Sequence, residues 1–148
     1  MLGIGFSMEV KLGIGLDGIS FGVSQNYLKE LIGEPDKIDL DNDELPLLKY
    51  NKLMCTFWMD ENNRVHWIQS SNPLIILRNT KVIGMEVIDI LSKFASVFGY
   101  SHEFEDYGSM ESYSFPEHEL EIQSEYGIVT NICFGHYWKD EEPLYTNA

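Results

Sequence analysis

Basic residues are scarce in this 148-residue chain. It has 10 lysines and arginines against 24 aspartates and glutamates, which gives a formal net charge of −14 at pH 7. Proteins that bind nucleic acids or anionic lipids cluster lysine and arginine on one surface. We therefore expect no nucleic acid and no membrane among its partners. The charge is compatible with simple solubility, and it favours a basic protein partner.

Cysteines and long apolar runs are also few. Cys55 and Cys133 are the two cysteines, and neither belongs to a C-x-x-C pair, so we expect no metal ribbon or redox motif. No run approaches the roughly 18 apolar residues of a membrane span. The first eleven residues lack the features of a secretory signal, and Met8 offers an alternative start after a leader at 1–7. These absences predict a cytoplasmic protein.

Two motifs that suggest ligand chemistry are incomplete. Residues 13–18 match G-x-G-x-x-G, but the predicted helix begins only near Ser24 and no βαβ unit follows. Asp39, Asp41 and Asp43 resemble the start of a calcium loop, yet its sixth and twelfth positions are not Gly and Glu. The four histidines show no metal-ligand spacing. We predict no enzyme, no cofactor and no metal site, and leave open adventitious cation binding by the acidic loop.

The chain contains an internal repetition. Corresponding residues are Gly22 and Gly84 (84 − 22 = 62), Tyr50 and Tyr113 (113 − 50 = 63), Val65 and Val129 (129 − 65 = 64), and Ile68 and Ile132 (132 − 68 = 64). A near-constant offset indicates a duplicated supersecondary unit. It predicts an α+β fold of two tandem helix-plus-antiparallel-sheet units, packed as one domain with the helices on one face of the sheet. The repeats would span about 9–73 and 74–138, followed by a polar tail.

Local patterns place the helices and strands. Ser24 suits an N-cap, and Gly33 with Pro35 ends a helix that covers 25–32. A second helix is predicted at about 84–98, and hairpin strands at 53–59 and 64–70. In the strand at 119–124, apolar residues alternate with polar ones, which predicts that Glu119, Glu121 and Gln123 share the outer face.

Aromatic and acidic residues in the predicted strands indicate a binding surface. Residues 99–148 contain eleven carboxylates and one base, Lys139. Exposed aromatic side chains beside carboxylates are typical of protein-binding anchors with a charged rim. Alternatively, Trp58 and Trp67 only pack inside the protein. The predicted partner-binding residues are Trp58, Trp67, Tyr113, Glu119, Glu121, Gln123, Tyr137 and Trp138.

One stretch resembles a known superfamily. The residues that carry the resemblance are 19–24, 31–36, Tyr50, Phe57 and 64–68. Together they resemble the repeat unit of the β-lactamase inhibitor protein and outer-membrane-assembly lipoprotein superfamily. The resemblance covers 19–70 well, while 80–134 match through only a few positions, and Gly99 lacks a following proline. It implies two tandem units whose concave sheet grips a target protein.

These features lead to a functional expectation. The chain is expected to be a protein-binding inhibitor, most plausibly an immunity protein that neutralises a basic toxin or enzyme by occluding its active site. One alternative is a structural or envelope-assembly scaffold, against which the missing lipoprotein cysteine speaks. A small-ligand-binding protein is the other alternative. Fold alone does not decide between them.

Overall fold

The computed structural model describes residues 8–99 and 102–145, so the leader predicted at 1–7 lies outside the described part. Two α-helices are present there, α1 (Gln25–Ile32) and α2 (Val87–Phe98), with a 3-10 turn at Pro116–His118. The strands are β1 (Glu9–Lys11), β2 (Gly15–Leu16), β3 (Ile19–Ser20), β4 (Lys37–Leu40), β5 (Pro46–Tyr50), β6 (Cys55–Met59), β7 (Val65–Ser70), β8 (Ile76–Leu77), β9 (Thr80–Lys81), β10 (Glu103–Asp106), β11 (Met110–Phe115), β12 (Leu120–Glu125), β13 (Ile128–Gly135), β14 (Tyr137–Lys139) and β15 (Glu142–Leu144).

Eight of these strands form one antiparallel sheet in the order β10-β11-β12-β13-β7-β6-β5-β4. A smaller sheet has the order β3-β2-β1-β8-β9, and its β1 and β8 pair in parallel. Strands β14 and β15 form a separate hairpin. The parallel pair joins residues near the start of the chain to residues near its middle.

The hydrophobic core lies on one face of the large sheet. Leu48, Phe57, Ile68 and Phe134 are fully buried there, in one cluster with residues of both helices and of the small sheet. Successive residues of a strand point to opposite faces, so their neighbours project from the other side. We call that other side the open face. Its side chains are mostly half-buried or exposed, and the described helices pack on the core face.

The first helix follows its local sequence. Ser24 Oγ accepts a hydrogen bond from the Tyr27 backbone N–H at 3.1 Å, and Gly33 takes φ = 90° directly after Ile32. A positive φ is a conformation that glycine adopts at little cost. The predicted bounds of α1 are confirmed. Helix α2 starts at Val87, three residues after the predicted start. Neither described helix has the length and hydropathy that a membrane crossing requires.

The predicted α+β class, with two helix-plus-sheet units, is wrong. The protein is mostly β, with 49% strand and 17% helix. Strands β7 and β13 pair directly, with Phe134 opposite Ile68, and this pairing makes one continuous sheet. Seven short strands outside that sheet also raise the β content. Most of them pair with a neighbour in the chain, as β2 does with β3, β8 with β9 and β14 with β15, while the β1–β8 pair is long-range.

Some backbone hydrogen bonds still occur at corresponding positions. Val65 N–H donates to the Val23 oxygen at 2.9 Å, and Val129 N–H donates to the Met85 oxygen at 2.8 Å. The other equivalent bonds run from Gly22 N–H to the Val65 oxygen and from Gly84 N–H to the Val129 oxygen, each at 2.8 Å. The offset found in the sequence therefore appears in how each helix start attaches to the sheet.

Candidate functional site

Two tryptophans stand side by side on the open face. Trp58 of β6 pairs directly with Trp67 of β7, and both side chains are half-buried. Leu47 lies opposite Trp58 on β5, and Gly135 lies opposite Trp67 on β13. The four residues form a row across four adjacent strands. This row is an apolar feature of the open face.

Gly135 makes room for the Trp67 ring. A Cβ atom built on Gly135 would lie 2.8 Å from Cζ3 of Trp67 and still closer to Cε3. Carbon atoms in favourable contact are about 3.5–4.0 Å apart, so any larger residue at this position would displace the ring. Gly135 was not among the residues predicted from the sequence. The available signal was a glycine inside a strand pattern, which often marks close approach of another group.

One end of the open face is acidic. Glu121 and Gln123 project from β12, and Glu121 Oε2 accepts hydrogen bonds from Ser112 Oγ at 2.6 Å and Gln123 Nε2 at 2.9 Å. Glu103 and Glu105 of β10 lie opposite Ser114 and Ser112 and are exposed. Within the described residues, none of these three glutamates forms a salt bridge. This end therefore presents unpaired negative charge.

The opposite end of the open face carries its charges in pairs. Asp39 of β4 lies 3.0 Å from Lys49 Nζ and 3.4 Å from Lys37 Nζ. The hydrogen bond from Lys49 is the main reason that the pKa of Asp39 is lowered, with a smaller contribution from Lys37. Two lysines share one carboxylate, so these three side chains together carry a net charge of +1. This pairing contrasts with the glutamates of β10 and β12, which form no salt bridge within the described residues.

The remaining predicted residues lie elsewhere. Tyr113 is on the core face, with its ring centroid 5.1 Å from that of Phe104. Glu119 does not share the outer row with Glu121 and Gln123, because it precedes β12 and takes φ = 47° after the 3-10 turn. Burial raises the pKa of Glu119, and His136 partly offsets this effect.

Tyr137 and Trp138 belong to the β14–β15 hairpin. The Tyr137 ring lies against Gly13. Trp138 is 56% exposed, and its ring centroid is 4.5 Å from that of His136. The structure thus brings four of the eight predicted residues together on the open face, namely Trp58, Trp67, Glu121 and Gln123. Five further members of that face were not predicted from the sequence, namely Leu47, Glu103, Glu105, Ser112 and Gly135.

Both cysteines lie in surroundings that keep their thiols protonated. Burial raises the pKa of Cys55 to about 11, and burial also raises the pKa of Cys133. Both thiols are therefore protonated at neutral pH, and the thiolate is the reactive form. Across 8–99 and 102–145, no group of three or more His, Cys, Asp or Glu side chains is arranged to hold a metal ion.

Comparison with known proteins adds information about the fold. No family model matches the chain, and no curated protein matches it. A crystal structure of an extracellular protein containing an SCP domain, from Bacillus anthracis str. Ames, is similar with a TM-score of 0.53 and 14% sequence identity. The match covers 100% of this chain and 55% of the Bacillus anthracis protein, so this chain spans about half the length of that protein. At this identity the likeness concerns the fold alone.

Proposed function

We propose that this chain is a protein-binding inhibitor, an immunity protein that neutralises a basic toxin or enzyme by covering its active site. The observation that carries the proposal is the Trp58–Trp67 pair on the open face. Tryptophan is among the residues that contribute most binding energy at protein interfaces, where it is surrounded by contacts that exclude water. A pair held side by side offers such an anchor.

Charge complementarity supports a basic partner. The acidic end of the open face carries Glu103, Glu105 and Glu121, and the whole chain has a net charge of −14. Complementary fields speed the encounter of two proteins more than they strengthen the final complex. In the proposed mechanism, the glutamates attract a cationic active-site cleft and the tryptophans then close it against substrate.

The cytoplasmic location expected from the sequence is part of the proposal. Cys55 and Cys133 are free and buried, which suits a reducing compartment. Fractionation of cells that express the native gene should recover the protein with cytoplasmic markers. Recovery from the culture medium or the envelope would contradict this part.

The experiment uses the product of the neighbouring gene as the partner, because an immunity protein should be encoded beside its toxin. Surface plasmon resonance at two salt concentrations measures binding, and a growth assay measures neutralisation. Replacing both Trp58 and Trp67 by alanine should weaken binding at least about 30-fold, the effect of losing one hot spot of about 2 kcal/mol. Tyr126→Ala is the matched control, since Tyr126 is 89% exposed at the β12–β13 turn.

Charge reversal tests the steering component separately. Glu103→Lys should lower the association rate, and the loss should shrink at high salt. Glu30→Lys on α1 makes the same charge change at an exposed position of the helix layer, and it should have a smaller effect. Binding that ignores salt and survives replacement of both tryptophans would refute the proposal.

A further inference from the structure

A separate cleft of about 670 Å³ lies beside the β14–β15 hairpin, the β4–β5 turn and the β6–β7 turn. Two histidines, His66 and His136, line it together with the rings of Trp138 and Tyr145. Five carboxylates are also in its lining, namely Asp43, Asp60, Glu61, Glu141 and Glu142. None of the described lining residues is a lysine or arginine. The polar groups of the cleft are therefore dominated by hydrogen-bond acceptors.

His136 offers a buried acceptor to the cleft. Its side chain is only 4% exposed, and its Nδ1 lies 2.8 Å from the Tyr137 backbone oxygen. In the neutral ring, Nδ1–H donates to that oxygen and Nε2 is left as an acceptor. No described residue hydrogen-bonds to Nε2. Within the described part, every side-chain nitrogen or oxygen that is shut off from solvent has a hydrogen-bond partner. Because Nε2 has none, it must be accessible, and the cleft is the cavity that the His136 ring lines.

The surrounding rings complete an aromatic wall. The His136 ring centroid lies 4.5 Å from that of Trp138, 5.1 Å from that of Tyr145 and 6.1 Å from that of His66. Burial, and then the neighbouring His136, lower the pKa of His66, and nearby Asp60 and Asp41 only partly offset this. His66 is consequently a neutral imidazole at neutral pH. Faces of aromatic rings attract cations.

Of the five carboxylates that line the cleft, one is held in a hydrogen-bond network and four form no salt bridge within the described residues. Asp60 accepts hydrogen bonds from Tyr145 Oη at 2.7 Å and from the backbone N–H groups of Asn62 and Arg64. This network fixes Tyr145 against the β6–β7 turn. The other four, Asp43, Glu61, Glu141 and Glu142, are exposed, and none of them forms a salt bridge within the described part of the chain. They supply negative charge at the rim.

We propose that this cleft binds a cationic N–H donor, a guanidinium or an alkylammonium group. Such a group donates to His136 Nε2, lies against the Trp138 ring and is neutralised by the rim carboxylates. An anion would face five carboxylates and no lysine or arginine there. The cleft shares no side chain with the open face, so the proposal goes beyond the proposed function and does not depend on it.

Calorimetric titration of the full chain tests the proposal with three probes. The first is the blocked tripeptide acetyl-Gly-Arg-Gly-amide, the second is its citrulline analogue, and the third is spermidine. Citrulline has nearly the shape of arginine without the charge. We expect saturable binding of the arginine peptide or of spermidine and none of the citrulline peptide. The arginine peptide represents a protein side chain and spermidine a free amine, so the pair also distinguishes the two sources.

Two variants should weaken binding of the cationic probe. Trp138→Leu removes an exposed ring and should raise the dissociation constant about two- to tenfold. Glu141→Gln with Glu142→Gln should raise it by a similar factor, with a loss of salt dependence. The matched control, Glu103→Gln with Glu105→Gln, removes the same charge from the open face and should change it less than twofold.

A spectroscopic measurement on the unmodified protein tests the histidine contact. Long-range ¹H–¹⁵N spectra should show the His136 Nε2 resonance shifting as the cationic probe is added. Absence of saturable binding by both cationic probes, equal binding of the citrulline peptide, equal weakening by the control pair, or an unmoved His136 resonance would each overturn the proposal. None of these outcomes bears on the tryptophan pair of the open face.

Discussion

At the scale of single residues, Gly135 determines where the Trp67 ring of the open face lies. It lies in strand β13, and its φ is not in the left-handed region. The absence of a side chain, and not backbone freedom, is therefore what the position requires. The Trp67 ring occupies the space that a Cβ would take. A contact of this kind fixes the ring against the sheet and lowers the entropy that binding would cost.

Gly135→Ala is expected to destabilise the protein by about 1–3 kcal/mol, the usual cost of inserting a methyl group into a filled space. Urea unfolding followed by circular dichroism measures the change. In a Trp67→Leu background the same substitution should cost markedly less, because the ring that it displaces is gone. An equal cost in both backgrounds would show that Trp67 is not the cause.

At the scale of elements, the two helices begin differently. Helix α1 has a hydrogen-bonded N-cap at Ser24, whereas the N-cap of α2 is Glu86, whose side chain makes no capping hydrogen bond. Glu86 takes φ = −66° and ψ = 128°, an extended conformation that suits an N-cap, and it is exposed. The second helix therefore lacks only the short side chain that a cap requires.

Opposite effects on stability follow at these two positions. Ser24→Ala should lower the free energy of unfolding by about 1 kcal/mol, and Glu86→Ser should raise it by up to about 1 kcal/mol. Chemical denaturation of both variants and of the double variant measures these changes. A destabilising Glu86→Ser would mean that the Glu86 carboxylate stabilises α2 through the helix dipole more than a cap would.

Local signals explain which elements the sequence predicts. Helix α1 has a cap, a glycine and a proline within a few residues, and its bounds were predicted correctly. The parallel pairing of β1 with β8 was not predicted, because β8 has two residues and its partner lies far away in sequence. The inward position of Tyr113 was accessible, since Ser112 and Ser114 alternate with it. The αL conformation of Glu119 was not, because glycine usually marks such positions.

At the scale of the whole molecule, the pairing of β7 with β13 joins both halves of the chain. One hydrophobic cluster contains residues from α1, α2 and both sheets. The β1–β8 pair adds a second link, through Val10 opposite Leu77. Local hydrogen bonds repeat along the chain, but the burial that stabilises them is shared. The sequence offset alone could not reveal this, because periodicity carries no information about which strands meet.

The fragments 8–73 and 74–145 are therefore expected not to fold alone. Each would expose its part of the common core, and chains of this size have little stability to spare. Far-ultraviolet circular dichroism and thermal melting of each fragment measure this, with the full chain as the control. A cooperative melting transition in either isolated fragment would contradict the expectation.

The two outermost strands of the large sheet have a consequence for solubility. An unpaired strand edge is a template on which another chain can add a strand and start a fibre. Strand β10 is exposed along its length and carries Glu103, Glu105 and Asp106, while β4 carries Lys37 and Asp39. Charged side chains on both edge strands therefore disfavour the addition of a strand from another chain. Near the pI of about 4.5, the molecule as a whole has no net charge, and the repulsion between copies that opposes association is lost. Storage near that pH would thus favour aggregation.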